Sequence, residues 1–162
     1  MKRLVSKGLV VVVGFLGAPP GVVVSGVTSH AGQYLLNEDP RQAQLEKFFG
    51  DRECPAKAHV ADFLRAADEH GLDWRLLPTL SFIESGGGRV YRNNNIFGWQ
   101  NGEKRFPSVR AGIHVVAERV ANSEFYKDKD LDGMLKSYNS FNPKYGEVVK
   151  DVMRDMGPES FN

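Results

Sequence analysis

Residues 73–88 read Asp73-Trp74-Arg75-Leu76-Leu77-Pro78-Thr79-Leu80-Ser81-Phe82-Ile83-Glu84-Ser85-Gly86-Gly87-Gly88, and the fold turns on them. Leu76, Leu77, Leu80 and Ile83 recur at helical spacing, and Asp73 is a suitable N-cap. The three glycines stop the helix, because glycine enters left-handed backbone without steric cost. Pro78 costs some regularity near the first turn. Glu84 follows Leu80 by four positions and Leu77 by seven, so a helix projects it from the same face as both leucines. Burial beside apolar side chains disfavours the ionised form of a carboxyl, the condition a carboxylic acid needs to donate a proton near neutral pH. The glycines also remove side chains just after the acid, which leaves space for a bulky chain to approach. The other reading of Glu84 is an ordinary solvated glutamate at a fraying helix end, and position alone leaves both open.

On the N-terminal side, Val60, Phe63, Leu64 and Ala67 fall at i, i+3, i+4 and i+7 after Pro55, and Gly71 follows as a stop. Asp39-Pro40 opens an earlier helix that carries Ala43, Phe48 and Phe49 and ends at Gly50. Beyond the glycines, residues 96–100 and 103–106 flank Asn101-Gly102, a strong signal for a two-residue hairpin turn. In that register Gln100 faces Glu103, Trp99 faces Lys104 and Phe97 faces Phe106. Phe97, Trp99 and Phe106 then share one side, with Gln100 and Glu103 on the other. Phe97 and Phe106 suit a core, whereas Trp99 suits either a core or a stacking platform for a sugar ring. Ser108 caps a helix with Val109, Ile113, Val116 and Val120 on one face, and Asp130 caps a shorter one with Leu131, Met134, Leu135 and Tyr138. Asn142-Pro143 opens the last helix, with Tyr145, Val148, Val149, Val152 and Met156 inward, and Gly157-Pro158 closes it. The expected class is α+β, predominantly helical, with a small two-stranded hairpin lobe.

The chain of 162 residues is 41 % apolar, with 21 Lys and Arg against 20 Asp and Glu and a formal charge of +1. These values fit one globular domain with an N-terminal extra, and they remove the electrostatic case for nucleic acid. Lys2, Arg3 and Lys7 precede a short apolar run at residues 8–16, and Ser29-His30-Ala31 offers small residues where a signal peptidase reads. The expected organisation is a signal peptide at 1–31, an N-terminal linker and short helix at 32–55, and a catalytic domain at 56–157. A retained membrane anchor is the alternative, but the run is shorter than the roughly 20 residues needed to span and Pro19-Pro20 interrupts any longer one. The expected location is secreted or periplasmic, without stable membrane insertion once the signal is cleaved. Cys54 is the sole cysteine, so no internal disulfide forms, and Arg52 and Glu53 before it disfavour lipid attachment. A Cys-His peptidase built on Cys54 with His59, His70 or His114 is a weaker rival, since Glu53 and Pro55 flank the cysteine. The histidines show no paired metal-ligand spacing, and no Lys-Ser or Lys-Thr follows the glycines to make a phosphate loop. Neither a metal nor a cofactor is expected.

The stretch at 71–88, with Leu72-Asp73-Trp74-Arg75-Leu76-Leu77-Pro78 leading into Phe82-Ile83-Glu84-Ser85-Gly86, resembles the catalytic helix of lysozyme-like peptidoglycan hydrolases. These include the lytic transglycosylases and the glucosaminidases of the flagellar-muramidase, mannosyl-glycoprotein endo-β-N-acetylglucosaminidase-like type. Asn94-Asn95-Ile96-Phe97-Gly98-Trp99-Gln100 is similar to the glucosaminidases' Asn-Asn-x-Phe-Gly segment and more loosely to the transglycosylases' Gly-Leu-Met-Gln. Tyr138-Asn139 resembles the late Tyr-Asn pair that these families place across the cleft from the acid. The resemblance covers residues 56–156.

It implies a lysozyme-like fold and cleavage of the β-1,4 aminosugar backbone of peptidoglycan, of endo-β-N-acetylglucosaminidase type, with Glu84 as general acid. Transglycosylase or muramidase cleavage of the same polymer, or glycan binding without turnover, are its alternatives. Ser85, Asn95, Phe97, Trp99, Gln100 and Asn139 are the implied substrate-binding residues. A two-carboxylate glycosidase needs a partner about 5 to 10 Å from the acid. Glu103 is the candidate, although it follows Glu84 by only nineteen positions. The other possibility is a single-acid mechanism in which Glu84 acts as acid and then base, while the substrate's own acetamido or hydroxyl group is the nucleophile. Tyr138 either orients the acetamido group and stabilises the positive transition state or is a core tyrosine. Peptidoglycan glycan strands are the expected partner of a monomeric protein.

Overall fold

The computed structural model describes residues 39–161, so the expected signal peptide lies outside the described residues. Six α-helices follow in order: α1 Pro40–Asp51, α2 Val60–His70, α3 Leu76–Ser85, α4 Val109–Asn122, α5 Leu131–Tyr138 and α6 Tyr145–Met156. A short 3-10 turn, Pro55–His59, leads into α2. Among the described residues no helix is long and apolar enough to cross a membrane.

Three helix starts follow from local chemistry. The side chains of Asp39, Ser108 and Asp130 accept from the backbone N–H of Arg41, Ala111 and Gly133 at 3.0, 3.1 and 2.8 Å, satisfying donors that a first turn leaves unpaired. Asp73 acts one turn earlier than expected. It accepts from the Arg75 N–H at 2.9 Å and folds a turn that delivers the chain to α3 at Leu76. Gly71 and Gly86, both left-handed, end α2 and α3.

Helix α3 is buried along most of its length. Leu77, Thr79, Leu80 and Ser81 are all 0 % exposed, so this helix lacks a broad solvent face until its last turn. It packs against α2 and α6, whose Phe63, Ala66 and Ala67 and Val149, Met153 and Met156 belong to the same core. Helix α4, in contact with α2, adds Ile113, Val116 and Ala117 to the core. Helix α1 belongs to this core as well, since Leu45, Phe48 and Phe49 are buried in it. The compact body therefore includes a helix that precedes residue 56.

Three expectations are corrected. Ala43 is exposed and Leu45 takes its place in the core. Val148 is exposed and Met153 faces inward, because the buried stripe of α6 runs through Tyr145, Val149, Met153 and Met156. The hairpin lobe is absent: the described residues contain no strand, and the only sheet-type pairing is an isolated bridge between Arg92 and Asn95. Asn101 and Gly102 do adopt the positive φ that a two-residue turn requires, and the Glu103 N–H closes it on Gln100 O at 3.0 Å. Gln100 is left-handed too, as are Asn93 and Asn94, and such residues coil the backbone where a strand needs it extended. The Asn95 side chain then ties the coil together, donating to Trp99 O at 2.8 Å and Lys104 O at 3.1 Å and accepting from the Trp99 N–H at 3.0 Å. Phe106 pairs through its N–H with Asn93 O, not opposite Phe97.

Candidate functional site

The three glycines after Glu84 stop the helix as expected, but they do not open space beside the acid. Gly86, Gly87 and Gly88 are all left-handed, and a Cβ on Gly87 would lie 2.7 Å from Cys54 Cβ and 2.8 Å from its Sγ. The space freed at Gly87 is taken up by Cys54 of the protein's own core. Ser85 helps to hold this turn, since its hydroxyl donates to Ser81 O at 2.8 Å and accepts from the Gly88 N–H at 2.9 Å. The effect is a rigid stop that fixes the direction in which the last turn of α3 presents Glu84.

Glu84 lines a groove of about 530 Å³. The loop of Phe97, Gly98, Trp99 and Gln100 forms one wall, and the end of α5 with the segment after it, Tyr138 to Phe141, forms another. Glu84 is half-buried, and its two oxygens have different surroundings. Oε1 accepts a hydrogen bond from the Tyr145 hydroxyl at 2.7 Å. Oε2 accepts none among the described residues and lies against Gly98, where an added Cβ would come within 3.0 Å of it. Gly98 is left-handed, and the missing side chain keeps this oxygen clear.

Tyr138 and Tyr145 back the acid as a pair, their rings stacked at 6.0 Å and 11°. The Tyr138 hydroxyl donates to Phe97 O at 3.0 Å, which ties the loop to α5, and Trp99 packs edge-on against its ring at 5.7 Å. Burial, followed by the neighbouring carboxyl of Glu84, pushes the Tyr138 hydroxyl well above the usual tyrosine range. Burial and then the hydrogen bond to Glu84 do the same to Tyr145. Both remain neutral phenols, one of them donating to the acid, at any pH where a carboxyl titrates.

Of the residues singled out in the sequence, Glu84, Phe97, Trp99, Gln100, Tyr138 and Asn139 line the groove together. Ser85 and Asn95 do not: both are buried, and their side chains are engaged in the glycine turn and the coiled loop. Glu103 does not either. It is exposed and ion-paired with Arg92, because the coil that replaces the hairpin turns it away from the acid. Glu84 is thus the only carboxylate among the described residues of the groove wall. Trp99 is half-buried with one side on the groove, so it packs and lines at once.

Tyr145 is the neighbour of Glu84 that periodicity hid, since it reads simply as the first inward position of α6. The available signal was its hydroxyl, which a buried position obliges to find an acceptor. Cys54 is buried, its thiol pushed up by desolvation, and the histidines are occupied elsewhere: His59 with Asp62, His114 with Glu69, His70 with Asn122. No Cys-His pair is assembled among these contacts. The described residues likewise hold no cluster of three metal-ligating side chains. Comparisons with protein-family models, with curated proteins and with solved structures found no match.

Proposed function

We propose that this protein is a glycosidase of lysozyme-like type that cuts the β-1,4-linked aminosugar backbone of peptidoglycan outside the cytoplasmic membrane, with Glu84 as its acid. The observation that carries the reading is the asymmetry of one carboxyl on a groove wall: Tyr145 holds Oε1, and Oε2 stays open beside the bare Gly98. A glycosidic oxygen leaves only once it is protonated, and Oε2 is positioned to deliver that proton. The half-buried carboxyl, the aromatic side chains of Trp99 and Tyr138, and the amides of Gln100 and Asn139 suit a sugar chain, whose rings present apolar faces and hydroxyl edges.

A groove with a single carboxylate favours the single-acid route over a two-carboxylate hydrolase. The Glu84 carboxyl gives its proton to the bridging oxygen, the C1–O bond breaks, and the neighbouring sugar leaves with a free 4-hydroxyl. The cleaved sugar's own 6-hydroxyl then forms a bond to C1 and passes its proton to the Glu84 carboxylate, which restores the acid without water. This is the transglycosylase form of the reaction. In the glucosaminidase form the acetamido oxygen attacks C1 first, and water opens the ring it makes with Glu84 as base.

Digestion of purified peptidoglycan by the mature protein and by Glu84→Gln tests the reading. The wild type releases soluble fragments, and the variant loses about 10²–10⁴ of the rate. Equal release by both removes Glu84 from the chemistry, and release by neither sinks the enzyme reading and leaves at most a glycan-binding module. Mass spectrometry of the ends separates the routes: 1,6-anhydro ends mark transglycosylation, and reducing N-acetylglucosamine ends mark glucosaminidase hydrolysis.

A further inference from the structure

Phe141 is 98 % exposed although it lines the groove. The other rings there have aromatic partners: Trp99 meets Tyr126 at 6.3 Å and Tyr138 at 5.7 Å, and Tyr138 stacks on Tyr145. Phe141 meets no aromatic ring among the described residues. A phenyl ring held wholly in water leaves its transfer free energy unrealised until something flat and apolar covers it. Its neighbours in the chain are as telling. Asn139 and Ser140 line the groove with side chains that make no hydrogen bond among the described residues, and they also line an adjoining depression of about 470 Å³ that reaches Tyr145, Lys136 and Lys150. A polymer long enough to enter both depressions must cross this wall.

We propose that Phe141 is a stacking platform for one acetamido-pyranose ring of the glycan where it crosses the wall formed by residues 139–141. The C–H face of the ring covers the phenyl group, and its equatorial hydroxyl and amide groups reach the unengaged side chains of Asn139 and Ser140. This inference rests on the glycan reading of the groove and deepens it by assigning a specificity residue.

The test is calorimetric titration with a β-1,4-linked N-acetylglucosamine hexamer, using Glu84→Gln protein so that the probe is not consumed. Adding Phe141→Ala weakens binding about tenfold, Phe141→Trp holds it within about threefold, and Phe141→Leu, apolar without a flat face, does not restore it. Val90→Ala, an exposed apolar change off the groove wall, leaves it unchanged. A side chain this exposed supports no packing, so the substitutions leave the fold intact. Equal hexamer binding with and without Phe141→Ala overturns the platform and leaves the groove's glycan reading standing. No binding by the Glu84→Gln protein at all overturns both.

Discussion

Tyr145 is 3 % exposed, and its hydroxyl meets Glu84 Oε1 at 2.7 Å. A phenol in that position works as a donor, and in donating it fixes which carboxylate oxygen is left for chemistry. Tyr145→Phe keeps the packing and removes the clamp, so on the proposed chemistry fragment release falls roughly tenfold to a hundredfold, by misplacing the proton donor. The same contact makes a pH prediction. Burial, then the bond to Glu84, raises the Tyr145 hydroxyl above the ordinary tyrosine range of about 10. A group whose folded-state value is raised contributes stability that is complete below its unfolded value and is lost as pH rises above it. The unfolding free energy followed from pH 8 to pH 11 therefore falls more steeply above pH 10 in the wild type than in Tyr145→Phe, by about 1 kcal/mol between pH 10 and pH 11. Parallel declines sink the coupling. At this scale the sequence marked Glu84 as a carboxylate on the face of Leu77 and Leu80, a departure from the helical pattern that position alone left open to two readings. It concealed Tyr145, because a tyrosine on an apolar stripe obeys that pattern, and the acceptor for its hydroxyl lies 61 positions away.

The glycine turn after α3 shows why an element can be legible while its reason is not. Three glycines announce a helix stop, but only tertiary structure reveals that Gly87 abuts Cys54 in the turn before α2. Gly87→Ala must bear both a left-handed backbone and a Cβ at 2.7 Å from Cys54, for a loss of about 2–4 kcal/mol. Gly86→Ala has the same backbone but nothing nearer than 3.6 Å, and loses about 1 kcal/mol. Urea unfolding of the pair checks the difference, and equal losses would mean that the close approach is harmless. The loop at 93–106 is the converse case. Asn101-Gly102 forms a turn as its residues require, yet the strands do not follow. Nothing local records that Asn95 will close the loop on Trp99 and Lys104, so a reading from alternation alone extends a chain that in fact coils. That coil moves Glu103 out of the groove and so decides between one carboxylate and two.

The C-terminal tail ties the end of the chain to the start of α3, across more than eighty positions of sequence. The Trp74 indole donates to Glu159 O at 3.0 Å and packs on Phe161 at 5.9 Å, and the Arg75 guanidinium donates to Gly157 O at 3.0 Å. Periodicity sees helices and their stops, so it ends the account at Gly157-Pro158. It gives no notice that the residues beyond shield Trp74, which is 3 % exposed. Deleting residues 158–162 leaves the indole N–H without its acceptor and uncovers the ring, at a cost of about 2 kcal/mol. In a body of this size that lowers the Tm by roughly 5–10 °C, as calorimetry can read. Glu84 stands at the other end of α3, about 13 Å along the axis, and its contacts come from Tyr145 and the Gly98 loop and not from the tail. On the proposed glycan reading, the truncated protein therefore binds the hexamer as the full chain does at temperatures where it is folded. If melting is unchanged, the tail lies on the helix without holding it. If affinity falls with stability, the helix carries strain from one end to the other, and the acid is held less locally than Tyr145 and Gly98 imply.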